Sequence, residues 1–123
     1  MSQDQKSTYT GSCHCGQVKF SFQLPSPLEE QEVTSCNCSI CQINGYLLVY
    51  PQTTDVTYHH TDDAVRSYTF ATKRAPHYFC ANCGSSVYIK NEIPGMDHMI
   101  AVRTVADIDI KSLKIKEADG KSY

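Results

Sequence analysis

Three cysteines stand within six residues in the stretch Cys36-Asn37-Cys38-Ser39-Ile40-Cys41. Two closely spaced pairs flank it, with Cys13 and Cys15 before it and Cys80 and Cys83 after it. Together these groups contain all seven cysteines of the 123-residue chain. Because thiolates on tight turns point readily at one soft cation, the grouping predicts that bound metal holds the fold together, and zinc is the metal that it favours.

Other uses of cysteine fit the sequence less well. Cysteines one residue apart form strained disulfide rings, the count is odd, and the polar start of the chain lacks a secretion signal, so a disulfide framework is disfavoured. A thioredoxin-like redox role for Cys80 and Cys83 would need alternating strands and helices around the pair, a pattern that the sequence does not show. An iron–sulfur cluster uses the same ligand type and stays open as an alternative.

Seven cysteines divide naturally into four plus three. Four thiolates would close a tetrahedral zinc site, whereas three protein ligands would leave one position open for water or a substrate thiol. The two pairs would then form a structural site, here called the outer site, with the ligands Cys13, Cys15, Cys80 and Cys83. The remaining three, here called the triplet, would hold a second ion with one vacant position through the ligands Cys36, Cys38 and Cys41. This hypothesis predicts two zinc ions per chain, although spacing alone would also let the triplet recruit Cys80 or a histidine.

The rest of the sequence predicts a mainly β fold. In residues 18–23 apolar and polar side chains alternate with period two, and Pro25 and Pro27 end the run. Similar short runs, rich in aromatic or β-branched residues, lie at 33–35, 46–50, 56–58, 68–70, 87–89 and 99–102. Helical periodicity is nearly absent outside residues 27–32 and a turn that begins at Ser39. Short strands separated by turns predict a mainly antiparallel β domain, and zinc would contribute directly to its folding because so small a domain has a modest core.

Length, charge and hydropathy narrow the classes of function. The chain is 41% hydrophobic and 20% charged, which fits one small domain, predicted at residues 9–123 after a polar tail at 1–8. A formal net charge of -2 disfavours binding to nucleic acid. The longest apolar run, residues 46–50, is far shorter than the roughly 20 residues that span a membrane. The polar start without a secretion signal predicts a cytoplasmic protein.

Three blocks of this sequence carry a family resemblance. They are Gly11-Ser12-Cys13-His14-Cys15-Gly16-Gln17-Val18-Lys19-Phe20, then Cys36-Asn37-Cys38-Ser39-Ile40-Cys41 followed by Gly45, and then His77-Tyr78-Phe79-Cys80-Ala81-Asn82-Cys83-Gly84. In this order they resemble the signature blocks of the glutathione-dependent formaldehyde-activating enzyme family, whose domain is shared with centromere protein V. The resemblance extends from about Thr8 to the C-terminus, and three blocks together are far more specific than any one alone.

The resemblance implies an Mss4-like fold of antiparallel sheets around zinc, with the same division into a structural outer site and a catalytic-type triplet. It also implies a carbon–sulfur lyase that joins formaldehyde to glutathione or a similar small thiol, or alternatively a non-enzymatic zinc-binding interaction module like centromere protein V. Thr104 stands where many members have a cysteine. That position is not a metal ligand in the family, so both predicted sites stay intact.

Several further residues are candidates for roles beside the metal. Lys73, Arg74 and His77 could bind an anionic thiol such as glutathione, and His14 could carry a proton. Asn37 and Ser39 could donate hydrogen bonds to metal-bound sulfur. Four aromatic residues are expected in the core or a pocket wall, namely Tyr46, Tyr50, Phe79 and Tyr88. His59 and His60 are predicted at the surface, His98 carries no spacing signal, and residues 24–32 and 93–98 are the loops expected to set specificity.

Overall fold

The computed structural model describes residues 7–70, 75–92 and 97–119, and within these ranges the chain forms ten strands and one short α-helix. The strands are β1 (Ser7–Ser12), β2 (Lys19–Leu24), β3 (Glu32–Cys36), β4 (Leu48–Val49), β5 (Val56–Tyr58), β6 (Val65–Tyr68), β7 (His77–Cys80), β8 (Ser86–Ile89), β9 (Met99–Ala101) and β10 (Lys114–Ala118). The α-helix, α1, comprises Ser39–Asn44. Single 3-10 turns lie at Leu28–Glu30, Thr53–Asp55, Asp62–Ala64, Val102–Thr104 and Ile110–Ser112.

The strands form two sheets. The small sheet has the order β1-β2-β5 and is antiparallel throughout. The large sheet has the order β10-β3-β4-β9-β8-β7-β6, and its pairs are antiparallel except for β10 beside β3, which is parallel. The predicted mainly β fold is therefore confirmed and agrees with an Mss4-like fold, although the sheets are mixed rather than purely antiparallel.

The alternation in β2 places one face of the small sheet in the core. Phe20, Phe22 and Leu24 are buried, whereas Lys19 and Gln23 are exposed. Burial of each of these large apolar side chains stabilises the fold by roughly 1.5–3 kcal/mol. This strand therefore fixes which face of the small sheet meets the large one.

Aromatic contacts join the two sheets. The ring of Phe20, on β2, meets the ring of Tyr88, on β8, edge to face with centroids 5.5 Å apart. Tyr58, on β5, packs against the same Tyr88 ring at 5.0 Å. Such pairs add about 0.5–1.5 kcal/mol each beyond the area that they bury. The sheets consequently meet along a shared apolar layer.

The predicted strand positions need several corrections. The run at 68–70 is wrong as a strand, because β6 ends at Tyr68 and Phe70 lies beyond it with 40% of its surface exposed. Only Leu48–Val49 of the run at 46–50 pairs in a sheet, and Val102 belongs to a 3-10 turn rather than to β9. The small sheet begins at Ser7, so two residues assigned to the polar tail pair with β2. The strands β1, β7 and β10 were not predicted from the sequence.

Candidate metal centres

The structure brings the seven cysteines together in two separate groups. One contains Cys13, Cys15, Cys80 and Cys83, the other contains Cys36, Cys38 and Cys41, and in each group all Sγ atoms lie within 4.8 Å of one another. All seven are free thiols. In the described part of the chain no histidine or carboxylate joins either group, and Cys80 lies with the outer site rather than with the triplet.

The sulfur spacing of the outer site fits zinc. The Sγ atom of Cys15 lies 3.6 Å from that of Cys13 and 3.6 Å from that of Cys80. Zinc–sulfur bonds of about 2.3 Å at tetrahedral angles place neighbouring sulfurs about 3.8 Å apart, whereas a disulfide bond is about 2.05 Å long. The four thiols could therefore hold one zinc ion without rearrangement of the chain.

Two tight turns present these four thiols. After β1 the amide of Gly16 donates to the carbonyl of Cys13 at 3.3 Å, and after β7 the amide of Gly84 donates to the carbonyl of Cys80 at 3.0 Å. Both glycines have positive φ, +86° and +79°, which a residue with a Cβ adopts only at a cost. The first hydrogen bond spans three residues and the second spans four, but each turn ends in a residue with a left-handed backbone. That shared requirement explains why glycine closely follows each pair of cysteines.

Hydrogen-bond donors surround the sulfurs of the outer site. The amide of Val18 donates to Cys13 Sγ at 3.3 Å, and the amides of Asn82 and Cys83 donate to Cys80 Sγ, each at 3.4 Å. Amides that point at sulfur stabilise a thiolate and suit a metal ligand. At Cys80 the Cys83 amide acts to lower the pKa of the thiol, but burial and the neighbouring thiols of Cys15 and Cys13 outweigh it and the pKa is raised. The charged form of Cys80 therefore depends on a bound cation.

Side-chain donors act in the same direction as these amides on the two exposed thiols of the outer site. A hydrogen bond from the Asn82 side chain lowers the pKa of Cys15. Hydrogen bonds from the Ser85 hydroxyl and amide lower the pKa of Cys83 to about 5. Both thiols are therefore prepared to bind a cation near neutral pH.

The triplet is built where β3 runs into α1. Cys36 is the last residue of β3, Cys38 is the N-cap of the helix, and Cys41 lies three residues further on, in its first turn. Residues three apart on a helical turn are neighbours, so Cys38 and Cys41 approach each other and Cys36 closes the group. Gly45 ends the helix in the left-handed conformation, with φ +63°, and its amide donates to the carbonyl of Cys41.

The electrostatics of the triplet differ from those of the outer site. Burial raises the pKa of Cys41, and the neighbouring thiols Cys38 and Cys36 raise it further. Three like charges in a half-buried position repel one another unless a cation compensates them. The triplet therefore needs a bound cation to keep its thiols charged. Three sulfur ligands suit such a cation.

A cleft of about 660 Å³ opens beside the triplet. Its walls are formed by the end of β3, the end of α1 with the chain that follows it, the turn after β9, and the end of β10. The lining residues are Ser35, Cys36, Asn37, Cys41, Gln42, Gly45, Tyr46, Leu47, Arg103, Glu117, Ala118 and Asp119. Two cysteines of the triplet thus border a space large enough for a small thiol compound, and no cysteine of the outer site lines it.

The end of β10 is fastened to the loop that carries the triplet. The amide of Asn37 donates to the carbonyl of Ala118 at 3.0 Å, and the Asn37 side chain donates to Asp119 Oδ1 at 2.8 Å. The Asn37 side-chain nitrogen thus binds a carboxylate, and donation from Asn37 or Ser39 to metal-bound sulfur stays a prediction. The contact brings acidic residues of the C-terminal strand into the cleft.

Tyr46 and His77 form a buried pair beside the triplet. Tyr46 Oη and His77 Nδ1 lie 3.3 Å apart, and both residues are less than 10% exposed. Burial raises the pKa of Tyr46, the charges of Cys41 and Cys38 raise it further, and burial lowers the pKa of His77. His77 is therefore neutral near pH 7 and cannot supply the positive charge that the sequence suggested for it.

The other predicted residues take various positions. Lys73, Arg74 and most of the loop at 93–98 lie outside the described residues. His14 is exposed in the turn of the outer site, and His59 is at the surface as predicted. Tyr50 is 47% exposed rather than part of a wall. His60 is half-buried, since its Nε2 atom lies 2.9 Å from Tyr88 Oη, so its placement at the surface was wrong.

The cleft contains residues that the sequence analysis missed. Its charged lining is Arg103, Glu117 and Asp119, and none of these comes from the loop at 24–32 that was expected to set specificity. Arg103 could have been recognised in the sequence, because it is the one charged residue in the apolar stretch from 100 to 106. No sequence pattern marks Glu117 or Asp119, because the end of β10 has the composition of an ordinary polar strand.

In the described ranges the longest helix is α1, with six residues, and no helix has the length and apolar character needed to cross a membrane.

Comparison with solved structures shows a related fold. A crystal structure of a Rhodobacter sphaeroides protein, determined as a structural-genomics target, superimposes with a TM-score of 0.75 over 87% of this chain and 99% of the other. The two sequences are 21% identical, so this likeness concerns the fold alone.

The sequence comparison reaches further, because it includes both cysteine groups and nearly the whole described fold. The pattern of the family described as glutathione-dependent formaldehyde-activating enzyme matches residues 8–117. Together with the three cysteine blocks and the mainly β fold around them, this match shows that the chain belongs to the glutathione-dependent formaldehyde-activating enzyme family.

Proposed function

We propose that the protein is a zinc-dependent carbon–sulfur lyase-type enzyme that acts on a glutathione, or other small thiol, adduct of formaldehyde or another small aldehyde. The observation that carries the proposal is the position of the triplet at the wall of the 660 Å³ cleft. A group of three thiols that borders a cleft suits substrate binding, whereas the four thiols of the outer site form a closed set. Membership of the family supports the same chemistry.

Cys36, Cys38 and Cys41 would hold the catalytic-type zinc, and the outer site would hold a structural zinc. When bound by three thiolates, zinc supplies an open position at which a substrate thiol is stabilised as a thiolate. This matters because a free thiol with a pKa near 8.5 is only slightly ionised at neutral pH.

The reaction itself transfers no electrons to or from the protein. The thiol sulfur forms a bond to the carbonyl carbon, the carbonyl π pair moves to oxygen, and that oxygen takes up the proton that the thiol has lost. Tyr46 lines the cleft beside Cys41, and its raised pKa keeps its hydroxyl protonated. Its hydrogen bonds with Ser86 and Asn44, and its contact with His77, hold that hydroxyl where it can pass its proton to the oxygen, and the proton lost by the thiol then restores the hydroxyl.

The test is the exchange of formaldehyde with glutathione, which also proceeds without an enzyme. Two-dimensional exchange NMR should show a faster exchange with wild-type protein than with buffer. Cys38→Ser should remove the increment while the circular dichroism spectrum stays unchanged. Tyr46→Phe should reduce the increment by about 10²-fold, and Tyr50→Phe, which changes an exposed tyrosine, should leave it intact.

Equal rates with wild type, Cys38→Ser and buffer would remove formaldehyde and glutathione as the substrates. The same exchange measured with other small aldehydes and thiols then decides whether any lyase chemistry remains. If none does, the interaction-module alternative is the better description of the protein.

A further inference from the structure

The cleft beside the triplet contains groups of both charge signs. Among the described residues that line it, Arg103 is the one cation, and Glu117 and Asp119 carry carboxylates. With zinc bound, three thiolates and a divalent ion leave the triplet with a net charge of about -1. An anionic thiol that approaches this centre needs a cation in the cleft, and Arg103 is placed to provide one.

Arg103 is held by its backbone and by one edge of its guanidinium. It lies in the 3-10 turn Val102–Thr104, which is fixed by a hydrogen bond from the Val102 amide to the Leu47 carbonyl at 2.7 Å. Arg103 Nε donates to the carbonyl of Gly45 at 2.9 Å. A guanidinium has five N–H donors, and in the described part of the chain Arg103 forms no ion pair. The terminal nitrogens therefore retain the fork that binds a carboxylate in bidentate fashion.

Glu117 lies next to the triplet on the parallel strand pair. In the register of β10 with β3, Glu117 is opposite Ser35 and Ala118 is opposite Cys36. Both Ser35 and Glu117 line the cleft. The Asp119 carboxylate accepts the hydrogen bond from Asn37, whereas the Glu117 carboxylate is exposed and has no side-chain partner among the described residues. Glu117 is thus the carboxylate that a ligand in the cleft would meet.

We propose that Arg103 and Glu117 form a subsite for a zwitterionic amino-acid group, namely the α-carboxylate and α-ammonium of the γ-glutamyl end of glutathione. The proposal rests on the proposed function, because it assumes that the thiol of the same ligand is directed to the triplet. Arg103 binds the α-carboxylate and Glu117 the α-ammonium. A thiol with a carboxylate alone would gain from Arg103 but would be repelled by Glu117, so the pair selects thiols that carry both charges.

The first test measures binding without turnover. S-methylglutathione cannot present a thiolate to metal, so its affinity, followed by NMR titration of zinc-loaded protein, reports the subsite alone. Arg103→Met should weaken it by about 10-fold or more, and Arg103→Lys, which keeps the charge without the fork, should weaken it less. Arg66→Met removes an exposed arginine from β6, which does not line the cleft, and should change nothing.

Glu117→Gln gives the second test. This variant should weaken S-methylglutathione by about 10-fold but leave the affinity for its deamino analogue, which lacks the α-ammonium group, unchanged or improved. Circular dichroism and zinc content show that each variant is folded. If S-methylglutathione does not bind wild type at 10 mM, or if Arg103→Met and Glu117→Gln bind it as wild type does, the subsite is wrong.

Failure of the subsite and failure of the proposed function give different results. Suppose that wild type accelerates the formaldehyde exchange and that Arg103→Met reaches half-maximal acceleration at the same glutathione concentration as wild type. The reaction then stands and the subsite is overturned. If S-methylglutathione binding depends on Arg103 and Glu117 while wild type accelerates nothing, the subsite stands and the proposed reaction is overturned.

Discussion

The Sγ atoms of Cys15 and Cys80 lie 3.6 Å apart, although 65 positions separate the two residues along the chain. Cys15 follows the first strand of the small sheet, and Cys80 ends β7 of the large sheet. A metal ion bound between them would therefore join the two sheets at a point where the chain itself does not connect them.

Loss of an outer-site ligand should unfold the domain. Zinc binding to small structural sites supplies roughly 10–16 kcal/mol, which exceeds or equals the net stability of about 5–15 kcal/mol of a typical domain. Cys80→Ser should therefore abolish cooperative thermal unfolding as seen by circular dichroism. A sharp transition within a few degrees of wild type would show that the outer site is not structural.

Loss of a triplet ligand should have a milder effect. Cys38 is the N-cap of α1, a position where serine is favoured, so Cys38→Ser should stay folded. The variant should keep one zinc ion and lose the other, as measured by elemental analysis of the purified protein. An unfolded Cys38→Ser protein would mean that the triplet also supports the fold.

Wild-type protein purified without chelator should contain two zinc ions per chain, because the seven thiols form two groups that each suit one ion. Elemental analysis combined with thiol titration measures this directly. A value of one zinc with three freely titrating thiols would contradict the triplet as a metal site, and iron in place of zinc would favour the iron–sulfur alternative.

Burial of His77 should make stability depend on pH. Its pKa is lowered in the folded state, so between its ordinary pKa of about 6.5 and the folded value the unfolded chain binds the extra proton. The free energy of unfolding should then fall as pH falls below about 6.5, with a slope of at most about 1.4 kcal/mol per pH unit. Above that pH His77 is neutral in both the folded and the unfolded state, so it adds no pH dependence to the free energy of unfolding.

Urea unfolding of wild type and His77→Gln across pH 5–8 isolates this contribution, because the thiols titrate in both proteins. The difference in stability between the two should shrink as pH falls and stay constant above pH 7. A difference that does not change with pH would show that His77 is not held neutral by burial.

Gly11 should not tolerate a side chain. A Cβ there would lie 2.5 Å from Phe20 Cε2 and 2.9 Å from Thr104 Oγ1, and the Phe20 ring is fully buried. Gly11→Ala should therefore cost about 1–3 kcal/mol in urea unfolding. Combination with Phe20→Leu, which makes room, should reduce the cost of the alanine, whereas an additive double mutant would show that the contact is not responsible.

The sequence predicted the two cysteine groups better than the strands around them. Cys36, Cys38 and Cys41 are close together in the chain, so their spacing alone predicts that their thiols lie near one another. β2 was predicted because alternation reflects its one buried face. β10 was missed because four of its five residues are exposed and no periodicity marks it.

The residues of the cleft come together through contacts between distant parts of the chain. The spacing of residues in the sequence does not predict such contacts. The position of Arg103 depends on its hydrogen bond to Gly45 across 58 positions, and that of Asp119 on Asn37 across 82. His77 looked cationic in the sequence, since nothing there shows that β7 buries it. The residues that line the cleft were therefore less predictable than the cysteines of the two groups.

The different sequence spans of the two cysteine groups also set an order of assembly during synthesis. The thiols of the triplet are neighbours in the chain, whereas the outer site must close a loop of 65 residues between Cys15 and Cys80, which costs about 2 kcal/mol more in chain entropy. A ribosome releases the triplet, and Cys13 and Cys15 before it, well ahead of Cys80. The nascent chain therefore presents five thiols with only one complete group. A metal ion bound early by Cys13 and Cys15 together with triplet thiols would be misplaced, and formation of the outer site would then require Cys80 and Cys83 to replace the triplet thiols as its ligands.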